Sequence, residues 1–429
     1  ALIKAGQGTL RLQNAVNTFT GGVQVLEGDV SVGVDSRLGA VPSVATPGAM
    51  QLNGGGLTVT ADMTLNANRG IALGPNTGNG SGTIQVTGTN TLTYAGIIAD
   101  NPGGSGRLIK TGTGTLRLQN STNTFTGGLT VNGGLVSYSI EDRIGAAPAT
   151  PTPASIILNG GGLRLTLNNM TINANRGIAL GPDGGTGTGT LSVESGRTLT
   201  YNGIIADNGT GSGALEKIDT GSVVLGGANT YSGGTTLTAG TLLVTNTTGS
   251  ATGSGPVTTV AGTTLGGNGT VAPTASSSVI LGGTVAPGLT GSAGALNFTP
   301  VDGNVTFQST SNIVFELFGN GSNDKIVHVA TGGGILDFSA MTAGSLSVVF
   351  AGGYTPGLGH TFDVLDWSGI GGLSTSQLSL STTGFDPSWI WDMSQFTTNG
   401  TLTIVLVPEP GRGAMAMGGF AVWRMRRRR

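Results

Sequence analysis

Lys4-Ala-Gly-Gln-Gly-Thr-Leu-Arg-Leu-Gln-Asn14 returns as Lys110-Thr-Gly-Thr-Gly-Thr-Leu-Arg-Leu-Gln-Asn120. The offset is 106 residues. Asn66-Ala-Asn-Arg-Gly-Ile-Ala-Leu-Gly-Pro75 returns at 173–182, an offset of 107. Leu92-Thr-Tyr-Ala-Gly-Ile-Ile-Ala-Asp-Asn101 returns at 199–208, and a third copy starts at Lys217 and soon diverges. Self-similarity at a fixed period marks a repeat architecture. Within each copy the apolar residues alternate: Leu10/Leu12, Val23/Val25, Leu57/Val59 and Ile84/Val86, then Leu116/Leu118, Leu129/Val131, Leu163/Leu165/Leu167 and Leu191/Val193. Period two means strands with one buried face. Clusters of glycine, asparagine and threonine separate the strands as turns. No stretch keeps a helical period, and Gly54–Gly56 and Gly160–Gly162 would break a helix.

A sandwich of hairpins and a parallel β-solenoid both fit short strands. The solenoid fits better, because duplicated strands stack when each coil touches only its neighbours. Composition agrees. Of 429 residues 80 are glycine, only 9% are charged, and none is cysteine. Glycine and asparagine supply corners with positive φ. Stacked coils set like side chains above each other, where like charges repel, so few charges are favoured. Collagen is excluded because glycine keeps no three-residue register. Disulfide stapling and thiolate metal sites are excluded by the missing cysteines. With coils of roughly 20 residues rising about 4.8 Å each, residues 1–300 would make a rod of about 70 Å.

Charge is unevenly placed. Six of the 19 basic residues are Arg412, Arg424 and Arg426–Arg429, so the body before residue 407 has 13 basic and 20 acidic residues. An acidic body has no basic face for phosphates, which excludes a nucleic-acid partner. No residue from Gly221 to Val301 is charged.

Gly8-Thr-Leu-Arg-Leu-Gln-Asn-Ala-Val-Asn-Thr-Phe-Thr-Gly-Gly22 recurs at 114–128 and, more loosely, at 221–234 with Asn229-Thr-Tyr-Ser-Gly-Gly234. This pattern resembles the autotransporter-associated β-strand repeat of exported bacterial passenger-type proteins. The resemblance covers most of residues 1–245 and implies a right-handed parallel β-helix. Ala286-Pro-Gly288 and Asn320-Gly-Ser-Asn-Asp-Lys-Ile-Val327 resemble segments that follow such repeats. A membrane β-barrel of alternating strands is not evident in the sequence.

The C-terminus resembles a second family. Val407-Pro-Glu-Pro410 precedes an apolar stretch and then Arg424-Met-Arg-Arg-Arg-Arg429. This is similar to the PEP-CTERM sorting signal: Val407, Pro408, Glu409, Pro410, Arg424, Arg426, Arg427, Arg428 and Arg429 carry the match. The resemblance implies transient retention at the inner membrane and processing by an exosortase-type transpeptidase. An apolar stop with arginines on the cytoplasmic side has that logic. The stretch Gly413–Trp423 is shorter than the roughly 20 residues of a spanning helix. The chain starts inside a repeat without methionine, so an export signal encoded upstream is expected.

The resulting organisation is a parallel β-helix over 1–300, a C-terminal β cap over 301–406 and the sorting segment over 407–429. Tryptophan and phenylalanine concentrate between Phe298 and Phe396, as a cap over the last coil requires. Trp389 and Trp391 share one strand face, for packing or for stacking on a sugar.

Catalysis needs paired carboxylates or a base beside a cation. Asp100, Asp207, Arg69, Arg176, Arg11 and Arg117, like Lys4, Lys110 and Lys217, occur in repeated positions and read as structural. His328 and His360 are the only histidines and have no metal-ligand spacing. Asp324 could pair with Lys325 or His328. Asp363 and Asp366, near Trp367, are the best carboxylate pair. Phosphate-loop and calcium-nonapeptide signatures are missing. No cofactor is implied. The expectation is an exported, non-enzymatic surface or extracellular-matrix protein of a Gram-negative-type bacterium. Its partners would be the sorting transpeptidase and exopolysaccharide or other surface proteins. A carbohydrate-active β-helix enzyme and an autotransporter passenger are the alternatives.

Overall fold

The computed structural model describes residues 1–120, 122–274 and 277–407. Short strands follow each other around a three-sided coil, and each pairs in parallel with strands one coil before and after. This is the expected parallel β-helix. The first face runs from Leu2–Lys4 to Ile98–Asp100 as five strands, and again from Met170–Ile172 to Leu378–Leu380 as nine, with Ser322–Asn323 added antiparallel off the ladder. The second face holds nine strands from Thr9–Arg11 to Ile205–Asp207, then four from Thr270–Val271 to Leu365–Trp367. The third face is one sheet of 13 strands from Met63–Leu65 to Ile370–Gly371. From Leu2 to Ile98 the chain passes through four coils in 96 residues, 24 per coil rather than 20. The corners account for the difference.

Period-two alternation becomes columns of stacked apolar side chains. Met63, Leu92, Leu116, Val136, Leu163 and Leu191 lie in register on the third face and are all buried. Each such side chain contributes about 1.5–3 kcal/mol through burial. The expected boundary at residue 300 coincides with no break in the ladders. Val305–Phe307, Asn312–Gly319 and Lys325–His328 each pair in parallel with a strand before residue 300. The antiparallel sheet of Thr361–Asp363, Thr401–Leu406 and Trp389–Asp392 then adjoins the last coils.

The super-repeat is not a whole number of coils. The strand bearing Lys4 lies on the first face, that bearing Lys110 on the second, and that bearing Lys217 on the third. Each copy therefore advances the chain by four coils and one face.

Candidate functional site

Three repeated constellations and one single-copy cluster hold the polar side chains of interest. The first is the asparagine of the Asn-Thr-aromatic motif. It stands where a face lacks a strand. Asn123 Oδ1 accepts the Ile98 N–H at 2.8 Å, its own N–H donates to Asp142 O, and its Nδ2 donates to Arg143 O at 2.7 Å. Asn229 repeats this with Ile205, Ser250 and Ala251. Asn17 donates to Ser36 O and Arg37 O. The amide side chain thus continues the ladder across the gap. The following Gly-Gly closes the corner: Gly128 has φ +84°, and a Cβ there would sit 2.3 Å from Ser155 O. Only glycine fits both conditions.

The second is the repeated lysine. Lys4, Lys110 and Lys217 point inward in apolar columns, and Lys110 is fully buried against Ile84 and Val131. Its ammonium donates to the carbonyls of Thr111, Gly112 and Gly133 at 2.8, 2.8 and 3.1 Å. Lys217 caps Ile218, Asp219 and Ala239 in the same way. Burial pushes both Lys110 and Lys217 down to about 8.

The third is the repeated arginine. Arg69 Nε meets Asp35 Oδ1 at 2.9 Å, and Arg176 Nε meets Glu141 Oε1 at 2.6 Å. Both guanidiniums also bind carbonyls of the preceding 3-10 turn, Leu38 and Gly39 or Ile144 and Gly145. Tyr94 and Tyr201 hydroxyls donate to the carbonyls of Arg69 and Arg176. Asp100 and Asp207 accept backbone N–H groups of Gly106 and Thr126, or Gly213 and Ser232. These contacts bind one coil to the next. Arg11 and Arg117 are exposed on outward faces.

The single-copy cluster is Lys325 with Asp363 and Asp366. The lysine Nζ lies within ion-pair distance of both carboxylates, which come from the neighbouring coil. Burial lowers the Lys325 pKa, but the two carboxylates outweigh it, so the net shift is upward and the ammonium stays charged. One ammonium thus bridges both carboxylates as an ion cluster. An open cleft of about 460 Å³ beside it is lined by Asn320, Gly321, Asn323, Lys325, Thr361 and Asp363.

The neighbouring titratable groups are separate from this cluster. Asp324 pairs with neither Lys325 nor His328. It is buried, and its carboxylate accepts N–H groups of Gly294 and Glu316 at 3.2 Å, with Gly288 packed against it. Burial pushes its pKa up to about 7. The two segments expected to follow the repeats therefore meet at this carboxyl. His328 is buried between Phe298 and Trp367 in the stack, with neither ring nitrogen hydrogen-bonded, and burial lowers its pKa. His360 hydrogen-bonds Tyr354 Oη. Trp391 is 8% exposed, its Nε1 donates to Ser381 O, and its rings pack on Phe350, Phe362 and Phe385. That covering leaves Trp391 no open ring for a sugar. Trp389 is partly buried against Phe385.

Sequence reasoning missed two equivalent apolar grooves of about 520 and 470 Å³. Ala72, Ala99 and Ile97 line one, and Ala179, Ala206 and Ile204 the other. Their signal was outward alanine in duplicated strands. Among the described residues no group of three metal-ligating side chains occurs, and no helix is long and apolar enough to cross a membrane. Of the sorting segment only Val407 is described; Pro408, Glu409, Pro410, Arg424 and Arg426–Arg429 lie outside the described residues.

Comparison with known proteins gives the same repeat unit. Residues 2–32, 108–137 and 215–244 match the family model for the passenger-associated-transport-repeat. Each match starts at the strand of a repeated lysine and includes the bridging asparagine. Over 247 residues the chain is 31% identical to the adhesin BmaC autotransporter of Brucella suis biovar 1 (strain 1330). That alignment covers 55% of this chain and 7% of the adhesin's length. Three segments of this parallel β-helix thus match the passenger-associated-transport-repeat model, and over half its length the chain is similar to a small part of an autotransporter adhesin.

Proposed function

We infer that this chain is an exported, non-enzymatic surface protein that serves adhesion or extracellular-matrix assembly in a Gram-negative bacterium. The observation that carries the reading is the repeat itself. Three segments of the rod match a passenger-type repeat, and an autotransporter adhesin is similar to the chain over 247 residues. The repeated charged side chains bind coil to coil, and Lys325 ties the best carboxylate pair into an ion cluster. These contacts support a structural reading over a carbohydrate-active enzyme.

Sorting belongs to this proposal. Val407-Pro-Glu-Pro410 and the terminal arginines would hold the chain at the inner membrane until an exosortase-type transpeptidase acts. Fractionation of cells expressing the gene with and without codons 407–429 tests it. The full form is expected at the surface or in the medium, and the deleted form in another fraction. Cytoplasmic location of both forms would overturn export. Surface display of both would favour the second reading, an autotransporter passenger, for which the similarity to the adhesin speaks.

A further inference from the structure

One outward column on the first face carries a hydroxyl on five successive coils. Thr198, Ser222, Thr241, Thr264 and Thr284 stand in register on five successive coils. Strand stacking spaces them about 4.8 Å apart, so the row is about 19 Å long. All five are partly exposed. None of their hydroxyls is hydrogen-bonded within the described chain. Thr60, Thr87 and Thr238, by contrast, donate theirs to the neighbouring coil, at Val32 O, Val59 O and Lys217 O. Beside the hydroxyl column, two residues along each strand, runs a second outward column of Val224, Leu243, Gly266 and Ala286. The charge-free segment Gly221–Val301 supplies both columns on four of the five coils.

We propose that this strip is a docking surface for a single chain of uncharged polysaccharide lying along the rod. Each hydroxyl offers one donor and two acceptors, which matches the mixed donor and acceptor groups of a sugar. Val224, Leu243 and Ala286, which are partly exposed, can cover the apolar C–H side of the same sugar units. Charge complementarity selects the class. A polyanion or polycation would shed hydration here and gain no counter-charge, whereas a neutral glycan has none to lose. The repeat along the row suits a linear polymer and gives many weak contacts in one direction. The inference rests on the adhesion reading for its biological setting, but its test uses purified protein and is independent of export.

The full chain is run in native gels cast with dextran, with soluble cellulose-type glucan (hydroxyethylcellulose) or with alginate. Retardation by at least one neutral glucan is expected, unchanged at about 0.5 M NaCl, where charge attraction is screened. The triple variant Ser222→Ala/Thr241→Val/Thr264→Val removes three hydroxyls and keeps the shape of both threonines. It is expected to lose at least tenfold in apparent affinity. Thr236→Val/Thr258→Val on the third face should bind like the parent and controls for general surface change. Absence of retardation in both neutral glucans, equal binding by the triple variant, or binding to alginate alone with salt sensitivity would each overturn the proposal. A dimer of the parent in sedimentation that becomes monomeric in the triple variant would assign the strip to a second copy instead.

Discussion

Asn123 Oδ1 accepts the backbone N–H of Ile98 at 2.8 Å and so stands in for the carbonyl of a strand that is not there. The same side chain donates to Arg143 O on the other side of the gap. Asn123→Ala leaves both backbone groups buried and unpaired, at about 1–3 kcal/mol each. Amide hydrogen exchange is the suitable readout, because a solenoid opens locally. Exchange at Ile98 is expected to speed up by at least tenfold while the coils beyond residue 300 keep their protection. Unchanged exchange at Ile98 would remove the bridging role.

Arg176 gives a second prediction. Its guanidinium is buried, paired with Glu141 and bonded to Gly145 O. Arg176→Leu leaves the carboxylate and the turn carbonyls without their donor, a loss of about 3–5 kcal/mol. Urea denaturation should show it, and Arg176→Lys should recover less than half, since a point charge cannot reach both partners.

The buried lysines set an alkaline dependence. Lys110 and Lys217 titrate at about 8 in the folded chain, against 10.5 ordinarily. Between these values the unfolded chain binds more protons, so their contribution to stability rises with pH from about 8 to 10.5. Tyr94, Tyr138, Tyr201 and Tyr231 are shifted upward by burial. Unfolded tyrosines ionise first, so stability falls above about pH 10. Thermal melts should therefore peak between about pH 9 and 10. Lys110→Met/Lys217→Met is expected to flatten the rise and leave the alkaline fall.

Asp324 acts with the opposite sign. Its folded pKa is about 7 against 3.8 ordinarily, so the folded chain binds the extra proton between them. Its contribution to stability is largest below about pH 4 and is lost as pH rises through 7. Melts from pH 8 to 5 should show the coils around residues 288–328 gaining protection. Asp324→Asn should abolish that gain, and a gain that persists in it would assign the dependence to another group.

The alternation of Leu116/Leu118 or Leu163/Leu165 sufficed to place strands, because each pair must bury one face. The repeated lysines and arginines were legible as structural because they recur. Their partners were not. Lys325 meets Asp363 and Asp366 only because a coil of about 40 residues brings them into adjacent turns, and such spacing has no local signature. Coil length was also hidden. Bulges between Thr46 and Met50, and between Thr152 and Ile156, add residues without adding strands. Trp389 and Trp391 share a face as their alternation implied, but period two cannot say whether that face meets solvent or phenylalanine.

One consequence follows from the extra third of a turn in each super-repeat. Equivalent surfaces of successive copies look out at different azimuths around the rod axis. The Ala72 groove and the Ala179 groove lie on the first and second faces. A flat partner cannot touch both at once. A rod that arrives at any roll angle instead brings one copy or another toward whatever it meets, so duplication here widens the range of approach rather than multiplying grip on one side.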